Sequence, residues 1–168
     1  MSLAKRCIII FVVFITCVGC DQATKSIARS ALSESATWSF LGGTVRLHLV
    51  YNQGGFLSLG ASLPGHWRKG LFIIGAGCLL MGALSYALLC KPRNVSTLLA
   101  VALIFAGGAG NFYDRIAYGG VVVDFINIGI GPLRTGIFNV ADVAIFLGML
   151  ILISTALRRD NPQRLPRP

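Results

Sequence analysis

The chain has 168 residues, of which 55% are hydrophobic and only 12% carry a charge, and its mean hydropathy is +0.74. Because a soluble domain of average composition is about one-quarter charged, these values exclude an ordinary water-soluble globule and, more firmly, a disordered chain. The net charge is +9, but the basic residues lie in short clusters between apolar stretches rather than in one long arm. This pattern is typical of a membrane protein, and we expect no nucleic-acid partner.

Four apolar segments are long enough, or nearly so, to cross a bilayer. They cover residues of about 4–20, 71–90, 96–113 and 138–157, within one integral membrane domain of residues 1–168. An even number of crossings places both termini on one side. Two long outer segments, about 21–70 and 114–137, then lie on the opposite side.

The basic residues orient these spans. The short segments on the side of the termini hold eight of the 15 Lys and Arg within 22 residues, whereas the two long segments hold seven within about 74. Because short cytoplasmic loops are enriched in basic residues, both termini are predicted to be cytoplasmic.

The first apolar segment has a second interpretation as a cleaved lipoprotein signal. Lys5 and Arg6, a short apolar core and Cys20 after Val18-Gly19 are typical of such signals. Cys17, however, stands where they usually carry a leucine-like residue, and three further spans follow, which favours a retained helix. The five cysteines all lie in or beside apolar runs, so we expect free thiols rather than disulfides or a zinc site.

The outer segments contain two runs with strand character. Thr44–Val50 alternates polar and apolar residues between two glycine pairs, which predicts a half-buried strand, with an irregular loop as the alternative. Val121–Ile126 is an apolar run interrupted only by Asp124. A small sheet on the outer surface is therefore expected.

Third-span residues Asn111, Asp114 and Arg115 share one helix face if the helix continues to its polar end. Three glycines precede them and flatten the helix surface, which allows another backbone to approach closely. The alternative is a packing notch followed by a simple Asp114–Arg115 pair at the interface.

Four of the six acidic residues fall near the outer ends of the spans; they are Asp21, Asp114, Asp124 and Asp142. Ionisable groups at this depth are costly and mark functional sites. If Asn139 caps the fourth span, Asp142 lies in the first turn, where the helix dipole favours its ionised form. Glycines between Asp124 and Asp142 allow the chain to fold back and bring the two together.

Two neighbouring carboxylates share a proton, so one can activate water while the other polarises a carbonyl. This is aspartyl-protease chemistry, for which we expect neither metal nor cofactor. The apolar surroundings of Asp124 favour it as the holder of the proton. Two unrelated interfacial aspartates are the alternative. The sequence motifs of zinc proteases, serine hydrolases and nucleotide-binding enzymes do not occur in the chain.

In several segments the chain resembles the bacterial lipoprotein signal peptidases (signal peptidase II). The segments that carry the resemblance are Asp21-Gln-Ala-Thr-Lys25, Asn52-Gln-Gly54, Gly107-Gly-Ala-Gly-Asn-Phe-Tyr-Asp-Arg115, Val123-Asp-Phe-Ile126 and Phe138-Asn-Val-Ala-Asp142. Each is weak alone, but five in order together with four spans are specific. One departure is visible, because Gly55 leads directly to Phe56 in a loop one residue shorter than usual, which leaves the contact of Phe56 open.

The resemblance implies an aspartic endopeptidase that removes signal peptides from diacylglyceryl-modified prolipoproteins by cleaving before the lipidated cysteine. It implies the catalytic pair Asp124 and Asp142. It also implies a substrate-binding or dyad-supporting group: Asn52, Gly54, Gly108, Asn111, Arg115 and Asn139. A structural polar group comprises Asp21, Lys25 and Asp114.

The implied fold is an all-α membrane protein with four transmembrane helices, a small extracytoplasmic β-sheet that cradles the substrate, and a mobile outer loop helix. The implied location is the bacterial inner membrane, with the active site at the outer face. Membrane lipids and globomycin-type inhibitors are further expected partners, and we expect a monomer. Two other classes stay open: a small transporter or channel, which would place acids near the bilayer midplane, and a non-enzymatic membrane assembly factor that docks through the glycine-rich third span.

Overall fold

In the computed structural model of the chain, residues 1–55, 60, 62–90, 92 and 94–158 are described. Predictions that involve Phe56, Lys91, Arg93 and the basic tail after Arg158 lie outside these residues. The helices are α1 (Leu3–Ala31), α2 (Gly65–Gly70), α3 (Ala76–Leu89), α4 (Val95–Ala117) and α5 (Val140–Leu157). The strands are β1 (Trp38–Phe40), β2 (Val45–Asn52), β3 (Val122–Ile130) and β4 (Leu133–Arg134).

Four helical stretches are long and apolar enough to cross a membrane: Leu3–Ala31, Gly65–Leu89, Val95–Ala117 and Val140–Leu157. The four-span fold class is thereby confirmed. The second stretch starts with α2 in the outer segment and runs through a π-helical turn, Leu71–Gly75, into α3. At 29 residues α1 is about 44 Å long, well beyond the ~30 Å of a hydrocarbon core. Its last turns therefore extend past the apolar segment seen in the sequence.

Helix α4 is central and packs against α5, α1 and α3. Two glycines bring α4 and α5 together: Gly107 of α4 lies against the backbone of Ala141, and Gly148 of α5 lies against the carbonyl of Ala100. A Cβ atom at Gly148 would be only 2.6 Å from that oxygen. The close approach predicted from the glycines of span three thus occurs at α5.

The strands form one antiparallel sheet in the order β1-β2-β3-β4. Both predicted strands are present, as β2 and β3, and their pairing has an irregular register between Leu47 and Val50. Gly42 and Gly43 adopt positive φ angles of 62° and 89° in the turn before β2, a conformation that suits glycine. Val123 packs into a cluster with residues from the end of α1, which fixes the sheet against the protruding part of that helix.

Residues after β4 return the chain to the sheet just before α5 begins. The backbone of Phe138 exchanges hydrogen bonds with Ile126 of β3, at 2.9 Å in each direction. The middle of β3 and the first turn of α5 are consequently neighbours.

Replacing Gly148 with alanine should destabilise the protein by about 1–3 kcal/mol, because the new methyl group forces α4 and α5 apart. The matched control is Gly19→Ala in α1, where an added Cβ meets no atom within 4 Å. Alanine is the better helix former, so this control should unfold at the same temperature as the parent protein or higher. Thermal unfolding in detergent measures the stability of both variants. An equal loss of stability in the two would contradict the packing role of Gly148.

Candidate active site

Asn139 links the two candidate catalytic aspartates. Its side-chain oxygen accepts the N–H of Asp142 at 2.9 Å, and the Asp142 carboxylate accepts the N–H of Asn139 at 3.1 Å. This reciprocal pair is a capping box at the start of α5, so the predicted N-cap is present. The Asn139 amide also donates to Asp124 at 2.6 Å. Both carboxylates are therefore held by one residue, although 18 positions separate them in the chain.

Two further amides complete the hydrogen bonding of the pair. Asn52, the last residue of β2, donates to the second oxygen of Asp124 at 2.9 Å. Asn111 of α4 donates to the second oxygen of Asp142 at 2.8 Å. Each carboxylate thus receives donors on both oxygens, and the donors come from separate elements of the fold.

Asp124 is only 2% exposed and lies in the apolar first half of β3. Burial raises the pKa of its carboxyl group to about 7, and the negative charge of Asp142 acts in the same direction. The hydrogen bonds from Asn52 and Asn139 oppose this rise because they stabilise the ionised form of Asp124. The site can therefore hold a proton on Asp124 near neutral pH.

A buried ion-pair cluster, Asp21, Lys25 and Asp114, lies beside the aspartates. The Lys25 ammonium is 2.8 Å from a carboxylate oxygen of both Asp21 and Asp114, and the three side chains are at most 2% exposed. Its third donor goes to the Asn111 side-chain oxygen at 3.0 Å. All three donors of the ammonium group are therefore used.

The ion-pair cluster also holds the backbones that carry the catalytic candidates. Asp114 accepts the N–H of Val123 at 3.1 Å, one residue before Asp124. Asp21 accepts the N–H of Ala141 at 2.9 Å, one residue before Asp142. One buried cluster thus positions both β3 and the first turn of α5.

Lys25 determines which way the Asn111 amide faces. The Asn111 oxygen accepts from Lys25 and also from the Asn139 amide, both at 3.0 Å. An ammonium group can only donate, so the Asn111 oxygen must face Lys25 and its NH₂ group must face Asp142. The charge of Lys25 therefore fixes the orientation of the Asn111 NH₂ group that donates to Asp142.

Arg115 lies at the edge of the site rather than in the ion-pair cluster. Its guanidinium donates to the carbonyl of Gly54 at 2.9 Å and to that of Asn111 at 3.3 Å, and lies 5.3 Å from the ring centre of Phe72. Its buried Nε has no hydrogen-bond partner among the described residues. In this part of the chain the ion-pair partner of Asp114 is Lys25, so the simple Asp114–Arg115 pair considered from the sequence is not formed.

Most of the residues singled out from the sequence meet here, with one exception. Gly108 lies against the side chain of Leu80 in α3, where an added Cβ would be 2.8 Å away, so its contact serves helix packing. Sequence reasoning assigned no role to Gln22, which donates to Asp114 at 2.8 Å. The sequence signal that could have indicated such a role is the position of Gln22 between Asp21 and Lys25.

Comparisons with known proteins agree on one family. A family model described as signal peptidase (SPase) II matches residues 13–158. The lipoprotein signal peptidase of Francisella tularensis subsp. novicida is 33% identical over 162 residues, which cover 94% of this chain and 96% of that protein. The lipoprotein signal peptidase of Desulforapulum autotrophicum is 30% identical over 153 residues and covers 90% and 91%. A solved bacterial membrane enzyme, determined by the in meso method at 2.3 Å, superposes with a TM-score of 0.80 at 26% identity over 95% of this chain and 93% of its own.

Lys25→Met should destabilise the protein by about 3 kcal/mol or more, because it leaves two buried carboxylates without their cation. Lys5→Met, which changes an exposed lysine of the same helix, is the matched control and should have little effect. Thermal unfolding in detergent provides the comparison. If Lys25→Met unfolds at the same temperature as Lys5→Met, the ion-pair cluster does not hold this end of the bundle together.

Proposed function

Because the chain belongs to the signal peptidase II family, it is a multi-pass inner-membrane protease that removes signal peptides from prolipoproteins, and we propose that Asp124 and Asp142 are its catalytic pair. The observation that carries the proposal is the shared contact with Asn139, which holds both carboxylates within hydrogen-bond reach of one side chain and its backbone. No other pair of acidic residues in the described chain combines this proximity with a raised carboxyl pKa and freedom from a lysine partner.

In the proposed reaction Asp142 is the base. Its negative charge is stabilised by the Asn111 amide and by the start of α5, so it can take a proton from water while the water oxygen attacks the scissile carbonyl carbon. Asp124 gives its proton to the carbonyl oxygen. The tetrahedral intermediate then breaks its C–N bond, the leaving nitrogen takes a proton from Asp142, and Asp124 recovers its own from the intermediate.

The substrate proposed for this site is a prolipoprotein that carries a diacylglyceryl group on the cysteine after the scissile bond. The dyad lies at one end of four apolar helices, so the acyl chains can stay in the bilayer while the peptide bond reaches the carboxylates. Arg115 and Gly54 are proposed to contact the peptide, since they are joined by a 2.9 Å hydrogen bond at the edge of the site. Globomycin-type peptides are proposed to block this same dyad.

The topology proposed with this chemistry is a single domain with both termini in the cytoplasm and the dyad at the outer face. The preponderance of basic residues in the short terminal-side segments supports that orientation. We propose that a monomer is sufficient, because Asn52, Asn111 and Asn139 of a single chain supply side-chain donors to both carboxylates.

Asp124→Asn and Asp142→Asn should each lower cleavage of a diacylglyceryl-modified precursor by about 10²-fold or more, because each removes one of the two proton-transfer groups. The assay uses the purified protein reconstituted in lipid, with cleavage followed by the mobility of the product. Glu34→Gln, an exposed carboxylate of the outer segment, is the control and should keep full activity, and wild-type cleavage should survive chelators. Substantial cleavage by either folded aspartate variant would contradict the dyad.

The pH dependence tests which aspartate carries the proton. Since the raised pKa keeps Asp124 protonated up to about pH 7, kcat/KM should fall as the pH rises through that value and the acid is lost. Asn52→Ala removes a hydrogen bond that lowers this pKa, so the decline should begin at a higher pH in that variant. A shift of the decline to lower pH in Asn52→Ala, or a wild-type rate that increases through pH 7, would contradict the assignment.

A further inference from the structure

A buried arginine lies at the end of the helix bundle opposite the two aspartates. Arg6 of α1 is only 5% exposed, and its Nη1 donates to the carbonyls of Leu88 at 2.7 Å and Ala87 at 3.3 Å. These carbonyls belong to the last turn of α3, where a helix leaves its C=O groups without intrahelical partners. Arg6 therefore joins the start of α1 to the end of α3.

The described part of the chain does not balance the charge of Arg6. No carboxylate in it lies within ion-pair distance of this guanidinium, and the Nε of Arg6 is buried there without a hydrogen-bond partner. The acidic residues of the spans, Asp21, Asp114 and Asp142, all lie toward the other end of the helices. Because a buried cation is stabilised by a counter-charge, an anion from outside the chain would complete this site.

An apolar groove begins beside Arg6. Helices α1 and α3 both pack on α4, and the groove between them has a volume of about 360 Å³. Its surface is almost entirely apolar, and Phe11 on its edge is 64% exposed, so the groove is open to the lipid around the bundle. Besides Cys7, it is lined by Ile10, Phe11 and Phe14 of α1, Leu84 and Leu88 of α3, and Phe105 of α4.

The groove and the arginine form one continuous surface. Cys7, which lines the groove, directly follows Arg6, and Leu88, which also lines it, accepts the shorter Arg6 hydrogen bond. From Cys7 the groove follows α1 for about 10 Å to Phe14, whose ring lies 5.7 Å from that of Phe105. A cation at one end of an apolar channel matches a lipid that has an anionic headgroup and an extended acyl chain.

The charge of Arg6 distinguishes this occupant from two others. A signal peptide begins with a positively charged segment, which Arg6 would repel. A second copy of this chain would bring its own Lys5 and Arg6 to the same end of the bundle, again with like charge. An anionic phospholipid has the opposite charge, and it is present in the membrane that surrounds the groove.

We propose that Arg6 and the groove between α1 and α3 bind one anionic phospholipid from the leaflet at this end of the helices, which is the cytoplasmic leaflet in the topology proposed above. The lipid phosphate binds at the exposed edge of the Arg6 guanidinium, and one acyl chain lies along Cys7, Ile10 and Phe14. The bound lipid connects α1 with α3. This site is remote from the dyad, so it depends neither on substrate nor on the catalytic assignment.

Native mass spectrometry of the full-length protein, without substrate, tests the site by counting bound lipids. Dioleoyl phosphatidylglycerol and dioleoyl phosphatidylcholine have the same acyl chains, but only the first has a net negative charge. The first phosphatidylglycerol should bind about fivefold more tightly than phosphatidylcholine, because it forms a charge-assisted contact with Arg6 that is not weakened by a choline group. Equal affinity for the two lipids would overturn the proposal.

Arg6→Met should lower the affinity for phosphatidylglycerol to that for phosphatidylcholine, because it removes the charge and keeps an apolar side chain. Lys5→Met, which removes the neighbouring exposed charge, is the matched control and should leave the selectivity unchanged. Unchanged selectivity in folded Arg6→Met would overturn the proposal. An equal loss in both variants would also overturn it, because it would indicate general attraction of lipid to a basic helix end.

Cys7→Phe tests the groove while leaving Arg6 and its bonds to α3 in place, so it remains informative if Arg6→Met does not fold. The added ring should occupy the groove and weaken phosphatidylglycerol binding about fivefold or more, since the acyl chain loses its apolar contacts. Val12→Phe is the control, because Val12 is an exposed residue of the same helix that does not line the groove. Full binding by folded Cys7→Phe would overturn the proposal, and so would displacement of the bound lipid by a synthetic signal peptide, which would assign the groove to substrate.

Discussion

A single buried ammonium group, that of Lys25, sets the geometry on which the rest of this structure depends. A buried charge loses its hydration, and this loss must be offset by ion pairs and hydrogen bonds within the protein. Each donor of the Lys25 ammonium group is used, by Asp21, Asp114 or Asn111. The two carboxylates accept further bonds from the backbones of β3 and α5. The ion-pair cluster therefore connects α1 and α4 with β3 and the start of α5.

That arrangement gives two chemically identical side chains different environments. Asp124 lies in a buried strand, where desolvation raises the pKa of its carboxyl group, whereas Asp142 lies at the start of a helix, where N–H groups stabilise negative charge. Asn139 contacts both and holds them together. Two aspartates can therefore serve as the acid and the base of the proposed reaction.

Much of the fold could be predicted because its signals are local. A span is recognised by the length of its apolar run, β2 by its alternation, and the start of α5 by the spacing of Asn139 and Asp142. The length of α1 could not be predicted in this way. Its last turns contain Asp21 and Lys25, and charged residues at this position indicate the end of a span. The ion pairs of Lys25 with Asp21 and with Asp114, a residue about 90 positions away, offset the free-energy cost of burying these charges, so the helix continues.

The sequence by itself determined the number of spans, the acidic residues that lie near their ends, and, through the five motif segments, the family. Only the tertiary structure decided that Asp114 pairs with Lys25 rather than Arg115, that Gly108 packs on α3, and that the Asn111 amide turns its NH₂ group to Asp142. The physical reason is the range of the interactions. Hydrophobic periodicity and capping act between residues a few positions apart. The Lys25–Asp114 ion pair and the pairing of β2 with β3 join residues that are far apart in the chain, and their separation in sequence carries no information about their distance in space.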